Sequence, residues 1–275
     1  MSDSIFQTTM MGLETGLQVR HIATFEKELR TCSIDDERDA TTLFASPQFE
    51  DFDQIPVRKG NSIIGVISKE CTGPIKSCLR TLDEAMLIAA QEPLTQFIPL
   101  MAQPPSYRLV LQGGSIRGIV TRSDLLKLPV RLFAFTLVTH LEQLMTDVIR
   151  ANYPDCQDET QWLTYLTGAR QVKVNEKQQD LKQKNYDLPL LECTDFCDKR
   201  DIVRKLCSLS SRSKFKDDFE AIEKYLRNTV AHAGSYARND KEMERFIQLI
   251  ICTQRWIGEL EILPYPPPDP RRLSR

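Results

Sequence analysis

The densest set of side chains able to do chemistry lies in Tyr225-Leu226-Arg227-Asn228-Thr229-Val230-Ala231-His232-Ala233-Gly234. At helical spacing Asn228 and His232 share a face one turn apart, and Arg227 lies on the adjoining face within reach of the same region. Phe219, Ile222, Leu226 and Val230 form the apolar stripe beside them, and Gly234 suits a left-handed helix cap. A histidine near a helix C-terminus is favoured as imidazolium, and its proton exchanges near neutral pH. Such a group can move a proton during a reaction while a guanidinium holds an anion. Glu142 sits at the edge of a second apolar stripe, where it can pair with Arg227, orient His232 or remain a solvated flank. Asp195 is a further acid to consider, His140 reads as structural or exposed, and His21 is assigned no role.

A second constellation is Gly118-Ile119-Val120-Thr121-Arg122-Ser123-Asp124-Leu125. The Thr121 hydroxyl suits phosphate, and the Asp124 carboxylate can accept two hydroxyl hydrogen bonds. The bland alternative is that Asp124 caps the helical turn that follows it.

The part of the chain before residue 127 reads as duplicated units. Ile55-Pro56-Val57 leads through Gly60-Asn61 to Ser62-Ile63-Ile64-Gly65-Val66-Ile67-Ser68. Tyr107-Arg108-Leu109-Val110-Leu111 leads through Gly113-Gly114 to Ser115-Ile116-Arg117-Gly118-Ile119-Val120-Thr121. The phrase of strand, glycine turn and strand recurs after about 53 residues, a period that points to duplicated α/β units. Helices are expected before each hairpin, over 37–45 and 82–90, the latter capped by Asp83. In the first copy Ser68-Lys69-Glu70-Cys71 places a cysteine where the second copy has Asp124.

After residue 127 the pattern turns helical. Leu137, Leu141, Leu144 and Val148 follow i, i+4, i+7, i+11 spacing, widened by Val138, Met145 and Ile149, with Pro129 in the first turn. Further helices are expected over 159–166, 198–209, 217–233 and 241–260. The polar run 173–184 reads as an exposed helix or mobile loop, and the proline-rich tail 263–275 as extended.

Composition narrows the classes. The chain has 275 residues, 41% of them hydrophobic, and a formal net charge of −2. That hydrophobic content supports buried cores, and the charge balance leaves nucleic-acid binding to a local patch. No apolar run approaches the roughly 20 residues of a membrane span, and no secretory signal is visible, so a cytoplasmic location is expected. The eight cysteines form no Cys-x-x-Cys pair, and Cys193 and Cys197 lack a partner pair or nearby His, so reduced thiols and no metal are expected. No Gly-rich phosphate loop occurs.

On the repeated residues, segment 18–127 resembles a tandem pair of CBS domains. The resemblance implies an α+β chain with a βαββα-like pair and a regulatory adenine nucleotide (AMP, ADP or ATP). Thr121 would serve its phosphate and Asp124 its ribose; the first copy, with Cys71, departs from the pattern. On Arg227-Asn228 with Ala231-His232-Ala233-Gly234 in a helical setting, segment 128–262 is similar to the HEPN family, an all-α helical bundle. That resemblance implies a metal-independent endoribonuclease with a composite site at a homodimer interface, using Arg227, Asn228 and His232, with Glu142 beside them. The RNA 2′-hydroxyl would be the nucleophile, giving a 2′,3′-cyclic phosphate and a 5′-hydroxyl. The competing expectation is a non-enzymatic nucleotide-sensing regulator whose helical domain serves dimerisation or partner binding. A stress-response or anti-phage role rests on the resemblance alone.

Overall fold

A computed structural model describes Gly12 and residues 16–153, 159–207, 209, 211–231 and 237–262. His232, Gly234, the segment 1–11 and the tail 263–275 lie outside the described residues. The contacts divide the chain into one unit that reaches Val130 and a second that begins at Arg131.

The first unit holds two four-stranded sheets. In one, β2 (Cys32–Ser33) runs parallel to β3 (Gln54–Lys59), which forms a hairpin with β4 (Ser62–Ser68). Strand β4 then pairs antiparallel with β5 (Arg80–Thr81). The other sheet repeats this wiring: β6 (Leu87–Ala89) is parallel to β7 (Tyr107–Gln112), β7 forms a hairpin with β8 (Ser115–Thr121), and β8 pairs with β1 (Thr24–Phe25). Each sheet's fourth strand thus comes from the segment that leads into the other sheet. Both hairpins carry a register shift at the matching place, Val57/Arg58 and Val110/Leu111. Short helices α1 (Ala40–Phe44), α2 (Ile75–Cys78) and α3 (Leu94–Leu100) complete the unit.

The repeated glycine has a steric cause. A Cβ on Gly118 would stand 2.6 Å from the Thr24 carbonyl oxygen and 3.1 Å from the Phe25 ring. A Cβ on Gly65 would collide with the Arg80 carbonyl in the same way. In each sheet the short edge strand can approach because no side chain stands in its path.

Three expectations are corrected here. The helix expected over 82–90 is one tight helical turn, Glu84–Met86, followed by strand β6. Asp83 caps that turn by accepting from the Met86 N–H, but Leu87, Ile88 and Ala89 are claimed by the parallel ladder to Leu109, Val110 and Leu111. Not all eight cysteines are free thiols: Cys71 and Cys78 are joined, their Cα atoms 5.8 Å apart. The chain doubles back between them through Gly73, whose φ of 116° is open to glycine. Finally, the helix Leu128–Asn152 is long and apolar enough, by length and composition, to cross a membrane, although 61% of its most apolar stretch is buried inside the protein.

Among the described residues the second unit is helical. Its helices are α4 (Leu128–Asn152, whose first residues belong to the other unit), α5 (Glu159–Leu163), α6 (Gly168–Gln183), α7 (Phe196–Leu206), α8 and α9 (Asp240–Glu261). Helix α8 starts at Arg212, widens into an i→i+5 turn over Ile222–Arg227, and ends with Asn228–Ala231. The polar run 173–184 is therefore mostly helix, with Val174 its buried anchor. The α4 stripe is buried as its spacing requires: Leu137, Leu141, Leu144 and Val148 are each at most 4% exposed. An aromatic cluster joins α7, α8 and α9, with Phe215 and Phe219 stacked at 4.0 Å and Trp256 edge-on to Phe215 at 5.1 Å. The Trp256 indole N–H donates to Asp218 at 2.9 Å, so the buried ring carries no unmet donor.

Gly118→Ala should lower the unfolding free energy by about 1–3 kcal/mol, because the added methyl meets backbone rather than a movable side chain. Urea denaturation followed by circular dichroism reads this; an unchanged midpoint would show that β1 can leave β8 without cost.

Candidate functional site

Arg227 and Glu142 are brought together by α8 and α4. Glu142 Oε2 lies 3.7 Å from Arg227 Nε, while its Oε1 accepts a hydrogen bond from Lys199 Nζ at 2.9 Å. Lys199, on α7, is buried, and among the described residues Glu142 is its one carboxylate partner. The Arg227 guanidinium also lies over the Phe196 ring at 5.7 Å. Ring and carboxylate thus hold a cation whose side chain remains 40% exposed. Asn228 is exposed beside it. The imidazole of His232 belongs to the segment outside the description.

The widened turn sets the directions. Arg227 points toward α4 and α7, whereas Tyr225 packs against Arg245 of α9. A turn of this kind inserts extra arc into a helix and re-aims the side chains after it. Glu223, one turn before Arg227, faces the same cluster: burial pushes its carboxyl up, opposed by the charges of Arg200 and Arg227.

Asp195 is a structural clamp. It starts α7 in a reciprocal cap with Asp198 and accepts from Arg170 of α6 at 2.7 Å, with Lys177 at 3.3 Å. Burial opposes its charge, but Arg170 and Lys177 outweigh that and hold its carboxyl at about 2. Asp198 binds the same guanidinium through both oxygens. His140 is largely buried, 3.8 Å from Glu261, and His21 accepts from the Gln18 N–H.

In the first unit, Thr121 and Asp124 form a capping box at the turn Arg122–Leu126. Asp124 Oδ2 accepts from the Thr121 N–H at 2.7 Å and from its hydroxyl at 3.1 Å, and Oδ1 pairs with Lys127 at 2.7 Å. Asp124 is thus buried and already engaged on both oxygens. Tyr107 stands opposite Thr121 in cross-strand register, and its hydroxyl is buried with no hydrogen-bond partner among the described residues. Burial pushes that phenol up. Its ring packs in the core with Ile63, Val66 and Leu109, and the charges that act on the phenol are those of Arg80, Asp83 and Arg108. Sequence reasoning missed Lys199, because lysine reads as surface.

No family model matches the chain, and no curated protein matches it. Among solved structures, the CBS domain of a bacterial CNNM/CorC family Mg2+ transporter is similar at 16% identity and a TM-score of 0.35, over 46% of this chain and 81% of that one. The same domain in complex with ATP is similar at 16% identity and a TM-score of 0.35, over 48% and 97% of the two chains. At these scores the CBS resemblance rests on the chain's own strand order and repeated residues.

Glu142→Ala should destabilise the protein by about 3 kcal/mol, because it strands the buried Lys199 ammonium. The double change Glu142→Leu/Lys199→Met should recover most of that in urea unfolding. A loss below about 0.5 kcal/mol for Glu142→Ala would show that Lys199 reaches water unaided. Asp195 gives a pH test: a carboxyl lowered from 3.8 to about 2 stabilises the fold above that range, and the contribution is lost as pH falls through it. Asp195→Asn should therefore be less stable than the wild type at pH 7 and converge with it near pH 2 in thermal denaturation.

Proposed function

We propose that this chain is a metal-independent endoribonuclease of HEPN type whose activity is tuned by an adenine nucleotide on a CBS-like pair. The observation that carries the reading is the half-exposed Arg227 guanidinium, held by Glu142 and Phe196 on the helix that leads to His232. A restrained, accessible cation suits a phosphodiester whose charge grows in the transition state. His232 would take the 2′-hydroxyl proton or give one to the leaving 5′-oxygen, and Asn228 would contact the phosphate. Glu142 positions Arg227 rather than touching substrate. RNA supplies its own nucleophile, so the proposed reaction needs no metal.

The nucleotide would sit against Thr121 and Asp124. What supports a homodimer is the apolar face of α4, where Leu132 and Phe135 are exposed to 50% and 54% at helical spacing. In a HEPN-type dimer two copies of the Arg227–His232 motif would share one site.

The test is cleavage of labelled single-stranded RNA and total tRNA in EDTA, with and without AMP or ATP. The wild type should give cyclic-phosphate ends, and Arg227→Ala and His232→Ala should each lose about 10²–10⁴-fold in rate. Asp124→Asn keeps an acceptor for the cap and should weaken any nucleotide effect. Phe135→Glu should shift sedimentation toward monomer and reduce cleavage with it. A folded wild type that cleaves nothing would leave the nucleotide-sensing regulator as the function.

A further inference from the structure

A cavity of about 260 Å³ lies on the other side of α8 from Glu142, lined by Tyr225, Thr229, Arg238, Glu242, Arg245 and Phe246 among others. Two guanidinium side chains border it, and neither forms an ion pair with a carboxylate among the described residues. Arg245 lies over the Tyr225 ring, its central carbon 4.7 Å from the ring centre, and Lys224 stands 4.8 Å from the same centre. A guanidinium stacked on an aromatic face is held flat, and its N–H edge stays available for a phosphate. Glu242 is the acid in the lining. One of its oxygens accepts the Arg238 backbone N–H at 2.8 Å, so it is committed to starting α9. Lys224 and Arg245 together draw the Tyr225 phenol below its usual range. The cavity is therefore cationic, in a chain whose net charge is −2.

We propose that this cavity binds a phosphodiester of the RNA strand next to the one cut, with Arg238 and Arg245 as the phosphate ligands and Tyr225 as the residue that positions Arg245. The proposal rests on the ribonuclease reading. Tyr225 and Thr229 occupy the same turns of α8 as Arg227 and Asn228, so the proposed strand would pass from Arg227 around the helix to this cavity. Arg238, Arg245 and Lys224 supply the positive charge that single-stranded nucleic acid uses irrespective of sequence.

The experiment measures binding apart from cleavage, using full-length protein and fluorescein-labelled RNA with 2′-O-methyl groups, which lacks the attacking hydroxyl. Anisotropy is followed over a range of salt. Arg238→Ala/Arg245→Ala should weaken binding at least tenfold and flatten the logarithmic salt slope by about 1–2, as expected for the loss of two phosphate contacts. Tyr225→Phe, which keeps the ring, should bind like the wild type, whereas Tyr225→Leu should resemble Arg245→Ala; unfolding curves confirm that each variant is folded. An unchanged affinity and slope in the double variant overturns the proposal even if the wild type cleaves RNA. Loss of binding in the double variant upholds the subsite even if cleavage is never seen. If the double variant loses only protection by inorganic phosphate against thermal unfolding, with RNA binding intact, the cavity is a small-phosphate site and the proposal fails.

Discussion

The buried ammonium of Lys199 is the constraint around which the helical unit is organised. A charge removed from water costs several kcal/mol unless a partner meets it at short range. Glu142 meets it, which fixes α4 against α7. The same carboxylate has a second oxygen, and that oxygen restrains Arg227 on α8. Three helices are thus tied at one acid. A group that satisfies a structural debt also sets the direction of the most exposed cation nearby. Asp195 and Asp198 do comparable work between α6 and α7 through Arg170, but their guanidinium is consumed by the pairing. The difference between the two clusters is stoichiometric: two acids close on one Arg170, whereas one Glu142 is shared between two cations and leaves Arg227 under-neutralised.

Much of the fold was legible because its signals are local. The two hairpins announce themselves by β-branched runs around glycine turns, and the long helices by apolar residues every three or four positions. The helix expected over 82–90 failed for a tertiary reason. Leu87, Ile88 and Ala89 have no decisive preference of their own, and the neighbouring strand β7 decides them. The two-residue strands β1, β2 and β5 are too short to leave a pattern. Lys199 was invisible as a buried group because its partner is far away in sequence. The widened turn in α8 was invisible as well, and it alters the directions in which Tyr225 and Arg227 project. Arg238 and Arg245 left no signal, because Arg238 lies ahead of α9 and the two meet Tyr225 only when another helix brings it there.

The two copies of the repeat have diverged where chemistry would be done and stayed alike where packing demands it. The glycines against the edge strands and the register shifts match between copies. The turn after the second hairpin is a closed capping box built on Thr121 and Asp124. The turn after the first has Cys71, bonded to Cys78, in place of the acid. One copy thus keeps a hydroxyl and a carboxylate in one neighbourhood, and the other has replaced the equivalent acid with a covalent tie. Any ligand that needs these polar groups therefore meets an asymmetric pair.

The exchanged edge strands have a consequence for synthesis on the ribosome. Strand β1 pairs Thr24 with Ile119 and Phe25 with Gly118. Its partner therefore emerges only after some ~95 further residues have been added, a wait of roughly 5–20 s at ordinary elongation rates. During that interval the β2–β5 sheet can assemble, because all its strands are made first, while the N-terminal strand has nothing to join. Completion of the first unit is therefore timed by translation of the second hairpin. A chain stalled before Gly118 would leave the ribosome with one finished sheet and an unpaired strand exposed to other nascent chains.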